Sequence, residues 1–179
     1  MNKENNLLKR TEIVMSDVDG IWTDAGMYYS KNGDELKKFS AYDGGAVLFL
    51  KIAKIPLVIL SGEKNAILVN RFRKLNIDDV RLGIKNKELE LKNVLKKYNI
   101  TVENALYIGD FINDYPIMKK VGIPVCPKNA CDEIKEISKL VIEKSGGDGV
   151  LWELSKQILK AKGLYQTVFP QFLESLKMK

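Results

Sequence analysis

Short apolar runs alternate with longer amphipathic stretches along most of the chain. Residues 12–16 (Glu-Ile-Val-Met-Ser) predict a first strand that stops at Asp17. Between Gly26 and Phe39, a Tyr-Tyr segment, a Lys-Asn-Gly turn and a second run predict a β-hairpin. Helical periodicity covers Asp43 to Lys54, and Ile55–Leu60 is a continuous apolar run of the kind found in strands buried on both faces. The pattern then predicts a helix over 64–75, a strand over 79–82, a charged helix over 86–98, a strand at Ala105–Ile108 and a helix over 113–120. A strand at 123–126, a helix at 130–137, a strand at 139–142 and a helix over 149–162 complete the alternation. Gly163 to Lys179 is a tail of mixed character. Its Tyr165, Phe169, Phe172, Leu173 and Leu176 need a surface to cover, a neighbouring subunit being one candidate.

Strand–helix repetition with short loops predicts an α/β fold, a Rossmann-like parallel sheet with helices on both faces and a protruding hairpin at about 26–39. The chain shows no internal repeat, low-complexity tract or linker, and 179 residues suit a single domain, 1–179. Its 45% apolar and 29% charged residues are ordinary for a folded protein. No apolar run approaches the ~18 residues of a membrane span, and the polar start lacks the apolar stretch of a secretion signal. A cytoplasmic protein with Cys126 and Cys131 as reduced thiols is the expectation.

The chain contains no histidine. That excludes Ser-His-Asp and Cys-His nucleophile systems and His-ligated zinc. Chemistry must rest on carboxylates, lysines, hydroxyls, backbone amides and a hard metal ion. A formal net charge of +6 suits attraction of a small polyanion. The basic residues are dispersed, so neither nucleic acid nor a membrane is an expected partner.

In a parallel sheet, ligands sit beyond the carboxyl ends of the strands. Asp17-Val-Asp19-Gly20, Ser61-Gly62 and Gly109-Asp110 each follow an apolar run, which places all three on one sheet edge. Two carboxylates at i and i+2 where the chain turns can reach one site, and Gly20 permits the turn. Asp17 and Asp110 at adjacent strand ends would repel without a cation. Asp114 also suits a simple helix cap.

With Lys87 opening the charged helix and Gly109-Asp110-Phe-Ile-Asn113-Asp114 after a later strand, the order resembles the four motifs of the haloacid dehalogenase-like phosphatases. The whole chain resembles the small, capless branch that acts on 3-deoxy-manno-octulosonate 8-phosphate. Phe39 with Asp43-Gly44, and Gly146-Gly147-Asp-Gly149, match that branch too. The resemblance implies Asp17 as nucleophile and Asp19 as acid and base. It implies Mg²⁺ held by Asp17, the Asp19 carbonyl and Asp110, with Asn113 or Asp114 in the outer shell. Ser61, Gly62 and Lys87 would bind the phosphoryl oxygens, and a homotetramer would cover a site that no cap closes, with Tyr28, Tyr29 and the tail as contacts.

Three positions depart from the commonest pattern. Phe111 replaces a second Asp, Glu63 stands where octulosonate phosphatases carry Arg, and Trp152 where a C-terminal Arg is usual. Glu63 with Lys74 resembles a variant acting on nine-carbon 2-keto-3-deoxy sugar acid 9-phosphates. The implied substrate is therefore an eight- or nine-carbon phosphorylated 2-keto-3-deoxy sugar acid, with the nine-carbon one favoured. The alternative is a non-catalytic assembly module, like the phosphatase-like domains fused to acylneuraminate cytidylyltransferases; the intact Asp17, Asp19, Lys87 and Asp110 set argues against it.

Overall fold

The computed structural model describes residues 3–177, with the backbone alone for Asp34 and Glu35. Its centre is a six-stranded, all-parallel sheet of β1 (Ile13–Ser16), β4 (Leu57–Ser61), β5 (Asp79–Leu82), β6 (Ala105–Ile108), β7 (Ile123–Pro127) and β8 (Leu140–Ile142). The strand order is β5-β4-β1-β6-β7-β8, so the chain reverses direction across the sheet beside β1. β2 (Tyr28–Ser30) and β3 (Gly33–Leu36) form the separate antiparallel hairpin, inside the expected 26–39. Its base is tied down by an antiparallel bridge between Thr23 and Phe39.

The period-2 alternation of each strand divides two cores. Val14, Ile59, Leu106 and Ile108 face one side, where they meet α2 (Tyr42–Ile52), α3 (Ala66–Lys74) and α7 (Val150–Ala161). Ile13, Met15, Val58, Leu60 and Tyr107 face the other, under α4 (Lys87–Tyr98), α5 (Tyr115–Met118) and α6 (Asp132–Ile137). Helices thus cover both faces, as the alternation predicts. Asn65 and Asn86 cap α3 and α4 by accepting from the Leu68 and Leu89 amides, which fixes where each helix starts after its strand.

Three segments differ from expectation. Residues 3–9 form a short helix, α1 (Lys3–Lys9), that buries Leu8 against the α7 side of the core. The tail from 163 forms α8 (Tyr165–Lys177), with Pro170 inside it. Its Phe172 ring meets Phe49 at 4.7 Å and Trp152 at 5.8 Å, so the chain's own core, not a neighbour, takes up the aromatic face. Leu173 and Leu176 stay exposed, and the last two residues of the tail lie outside the described residues. The expected helix at 113–120 is a 3₁₀ turn (Ile112–Asp114) followed by the short α5.

Candidate active site

Asp17 follows β1, Ser61 closes β4 and Asp110 stands two residues past β6. These are three neighbouring strands, so one cavity of about 480 Å³ opens over all three carboxyl ends, at the point where strand order reverses. Asp17, Asp19, Ser61, Gly62, Glu63, Asp110, Phe111 and Asn113 line it.

The turn after β1 depends on Gly20. Its φ is +77°, and a Cβ there would lie 1.9 Å from Asp110 Oδ2. Thr23 Oγ1 holds the loop by accepting from the Gly20 and Ala25 amides while donating to Asp19 Oδ1 at 3.2 Å. The glycine run near the C-terminus supports the loop from behind. Gly147 donates its amide to the Ile21 carbonyl, and a Cβ on Gly146 would meet the Gly20 carbonyl oxygen at 1.7 Å.

Lys87, at the first turn of α4, is buried with Nζ 2.7 Å from both Asp17 Oδ1 and Asp114 Oδ1. Burial works to lower the Lys87 pKa, but the two carboxylates outweigh it and hold the ammonium above its usual range. Asp114 is fully buried; it also accepts from Tyr107 Oη at 2.6 Å and from the Asp110 amide at 3.2 Å. Burial and the Asp114 charge push Asp17 upward against the pull of Lys87. The same two causes push Asp110 up to about 7.

One carboxylate oxygen from each of Asp17, Asp110 and Asp114 lies within 4.8 Å of the others. This is an all-oxygen set for a hard divalent cation, and it fits magnesium. Asp114 already has three donors, Lys87 Nζ, Tyr107 Oη and the Asp110 amide, which tie it to both Lys87 and Asp110. Among the described residues, no backbone hydrogen bond is made to the Asp19 carbonyl.

A family model for haloacid dehalogenase-like hydrolases matches residues 60–154. The 3-deoxy-D-manno-octulosonate 8-phosphate phosphatase of Haemophilus influenzae is 34% identical over 173 residues, spanning 95% of this chain and 96% of that protein. The chain belongs to this family of capless haloacid dehalogenase-like hydrolases. The octulosonate phosphatase of Moraxella catarrhalis, solved with magnesium, phosphate and KDO, superposes with a TM-score of 0.90 at 30% identity, covering 96% of this chain and 99% of that one. A cobalt-bound form of the Haemophilus influenzae enzyme gives a TM-score of 0.84 at 33% identity, covering 87% and 91%. The family's Rossmann-like core without a cap matches the topology described above.

Of the residues singled out from sequence, Asp17, Asp19, Ser61, Gly62, Glu63, Asp110 and Asn113 all line the one cavity, and Lys87 and Asp114 lie directly beneath it. Lys74 does not join them. It ends α3 and lines a different groove, between α2, α3 and α8, together with Trp152. Trp152 packs against Phe49 and over Gly45, so its ring fills a core position rather than facing the Asp17 cavity. Phe111, in contrast, is an exposed rim residue of that cavity.

Two residues escaped sequence reasoning. Lys37 is nearly inaccessible and bridges Asp19 and Glu63 at 2.7 and 2.9 Å. Tyr107 places its hydroxyl under Asp114 from the middle of a strand that reads as plain core. No motif marks either one; only the fold brings them in.

Proposed function

We propose that the chain is a magnesium-dependent phosphatase of phosphorylated 2-keto-3-deoxy sugar acids that works through an aspartyl-phosphate on Asp17. The carrying observation is the cluster of Asp17, Asp110 and Asp114 around Lys87 at adjacent strand ends. The relatives' octulosonate phosphatase activity supports the same reading.

An Asp17 oxygen attacks phosphorus while the bond to the sugar oxygen breaks, and Asp19 gives its proton to that leaving oxygen. Water then yields a proton to Asp19 and attacks the phosphorus. Inorganic phosphate leaves, and the Asp17 carboxylate is restored. Lys87, the Ser61 hydroxyl and the Gly62 amide hold the phosphoryl oxygens. Asp17, the Asp19 carbonyl and Asp110 would hold magnesium, with Asn113 or Asp114 as outer support, and the ion would supply neutralisation of the phosphoryl charge.

Glu63 in place of Arg supports the nine-carbon sugar. An arginine would pair with a carboxylate, whereas Glu63 offers an acceptor to hydroxyls, which favours the longer, hydroxyl-rich nine-carbon acid over the eight-carbon one. Lys74 lines a separate groove of its own chain. Met27, Tyr28, Tyr29 and Leu36 expose apolar surface on the hairpin beside the uncovered cavity, which supports a homotetramer that closes each site. The reading carries a cytoplasmic location, where free Cys126 and Cys131 stay reduced.

The test is magnesium-dependent phosphate release from octulosonate 8-phosphate and a nonulosonate 9-phosphate, compared by kcat/KM. Turnover that needs magnesium and vanishes in Asp17→Asn supports the proposal. A higher kcat/KM for the eight-carbon substrate would reverse the assignment made to Glu63, and a fully active monomer would remove the tetramer.

A further inference from the structure

Lys37 leaves the hairpin one residue past β3, and its side chain is only 1% exposed. Its neighbour Lys38 reaches Asp24 at 3.3 Å with 61% of its side chain exposed, the ordinary solvated arrangement. Side chains alternate along an extended segment, so the two lysines leave opposite sides of the hairpin's return strand. The Thr23–Phe39 bridge fixes that register against the nucleophile loop. Taking an ammonium out of water costs several kcal/mol unless its partners are well placed. Here they are. Lys37 Nζ lies 2.7 Å from Asp19 Oδ1 and 2.9 Å from Glu63 Oε2.

The same two oxygens take the remaining donors. Thr23 Oγ1 gives to Asp19 Oδ1, and Asn65 Nδ2 gives to Glu63 Oε2 at 3.1 Å. Among the described residues, Asp19 Oδ2 and Glu63 Oε1 have no hydrogen-bond or ion-pair partner. Both residues line the cavity. One ammonium therefore pins one oxygen of each carboxylate and leaves the other oxygen of each to a ligand. It also neutralises Glu63, which would otherwise set a bare negative charge against an anionic substrate.

Resting on the phosphatase reading, we infer that Lys37 is a positioning residue that locks the leaving-group acid, Asp19, to the sugar-reading carboxylate, Glu63. The sugar hydroxyls bonded by Glu63 Oε1 and the ester oxygen facing Asp19 Oδ2 are then held in one frame. Recognition of the sugar and protonation of its leaving oxygen depend on each other through this lysine. The hairpin thereby completes the chain's own site, in addition to any surface it offers a neighbour.

The test compares a nonulosonate 9-phosphate with an aryl phosphate, whose good leaving group needs little acid and which has no hydroxyls to read. Both are measured in wild type, Lys37→Met, Lys37→Gln and Lys37→Arg, with the melting temperature of each. On the sugar acid, Lys37→Met loses on the order of 10²-fold in kcat/KM, through both lower kcat and higher KM, in the range of a mispositioned acid. On the aryl phosphate it loses less than about tenfold. Lys37→Arg recovers part of the sugar-acid rate, because a guanidinium can still bond both carboxylates. If Lys37→Met fails to fold, the same ratio is read from Lys37→Gln and Lys37→Arg. Equal losses on the two substrates, or no loss on either, overturn the inference alone. A wild type inactive on both substrates overturns the phosphatase reading, and this inference with it.

Discussion

Lys87 Nζ lies 2.7 Å from Asp17 Oδ1, and both side chains are almost fully enclosed. Nothing else among the described residues forms an ion pair with Asp17. Replacing Lys87 with Met strands two buried carboxylates, Asp17 and Asp114, a loss of roughly 3–5 kcal/mol for a broken buried pair. Activity falls with it, by about 10²–10³-fold, as for the loss of one donor to a developing oxyanion. Denaturant melts and steady-state rates of Lys87→Met measure the two effects. A stable variant with near-normal turnover would contradict the arrangement.

Metal and pH are linked by sign. Asp110 is pushed up to about 7 and Asp43 to about 6, so each favours the folded state fully below its unfolded value near 4 and loses that contribution as pH rises through the folded value. Asp17 shifts the same way. The carboxylates held low, Asp24, Asp79 and Glu153, act in the more acidic range. Metal-free protein is therefore expected to melt at a lower temperature at pH 8 than at pH 5. Magnesium needs the ionised ligands, so its stabilisation grows over the same window. At about 100 times Kd it contributes about 2.7 kcal/mol, or roughly 5–10 °C in Tm for a chain of this size. Thermal melts with chelator and with magnesium at both pH values check this; a magnesium shift that is larger at pH 5 refutes it.

Asp43 ties α2 to α7. It is fully buried, and its Oδ1 accepts from the Leu151 and Trp152 amides at 2.9 and 3.1 Å, capping a helix whose own N-cap, Gly149, has no side chain. Burial raises its pKa to about 6 despite those bonds. Asp43→Ala should cost about 1–2 kcal/mol, the loss of a cap. Asp43→Asn keeps an acceptor and removes the titration, so its stability should be flatter between pH 5 and 7 than that of wild type. Urea melts across that range compare the three proteins.

Phe172 separates stability from chemistry. Its edge-on contact with Phe49 at 4.7 Å joins α8 to the core, remote from the Asp17 cavity. Phe172→Ala should cost about 2 kcal/mol, from partial burial and the aromatic pair. The kcat at 25 °C should stay unchanged. Loss of activity without loss of Tm would show that α8 reaches the site.

The sheet was legible because its strands are buried on both faces and read as unbroken apolar runs, such as Leu57–Leu60 and Ala105–Ile108. The polar residues ending those runs have to share one edge, which brings Asp17, Ser61 and Asp110 together on the sequence pattern alone. α8 was hidden because Pro170 interrupts its pattern and because its partner, Phe49, lies far away in sequence. α1 has seven residues, too few to be stable without α7 beneath it. Lys37 was indistinguishable from Lys38 until the register at Thr23 and Phe39 set one inside and one outside. Within one chain, the length of α3 keeps Lys74 out of the cavity that Glu63 lines. The eight residue steps from Ala66 to Lys74 rise about 12 Å along the helix, toward the opposite end.

Covalent capture at Asp17 is tested most directly by trapping the intermediate. Asp19→Asn can still form it from an aryl phosphate, whose leaving group needs no acid, but lacks the base that directs water against it. With magnesium, acid quench within the first turnover and peptide mass analysis should find one phosphoryl group on the peptide containing Asp17, absent from the Asp17→Asn/Asp19→Asn double variant. Turnover with no phosphoryl group on that peptide, or with the group on another residue, would contradict the nucleophilic role of Asp17.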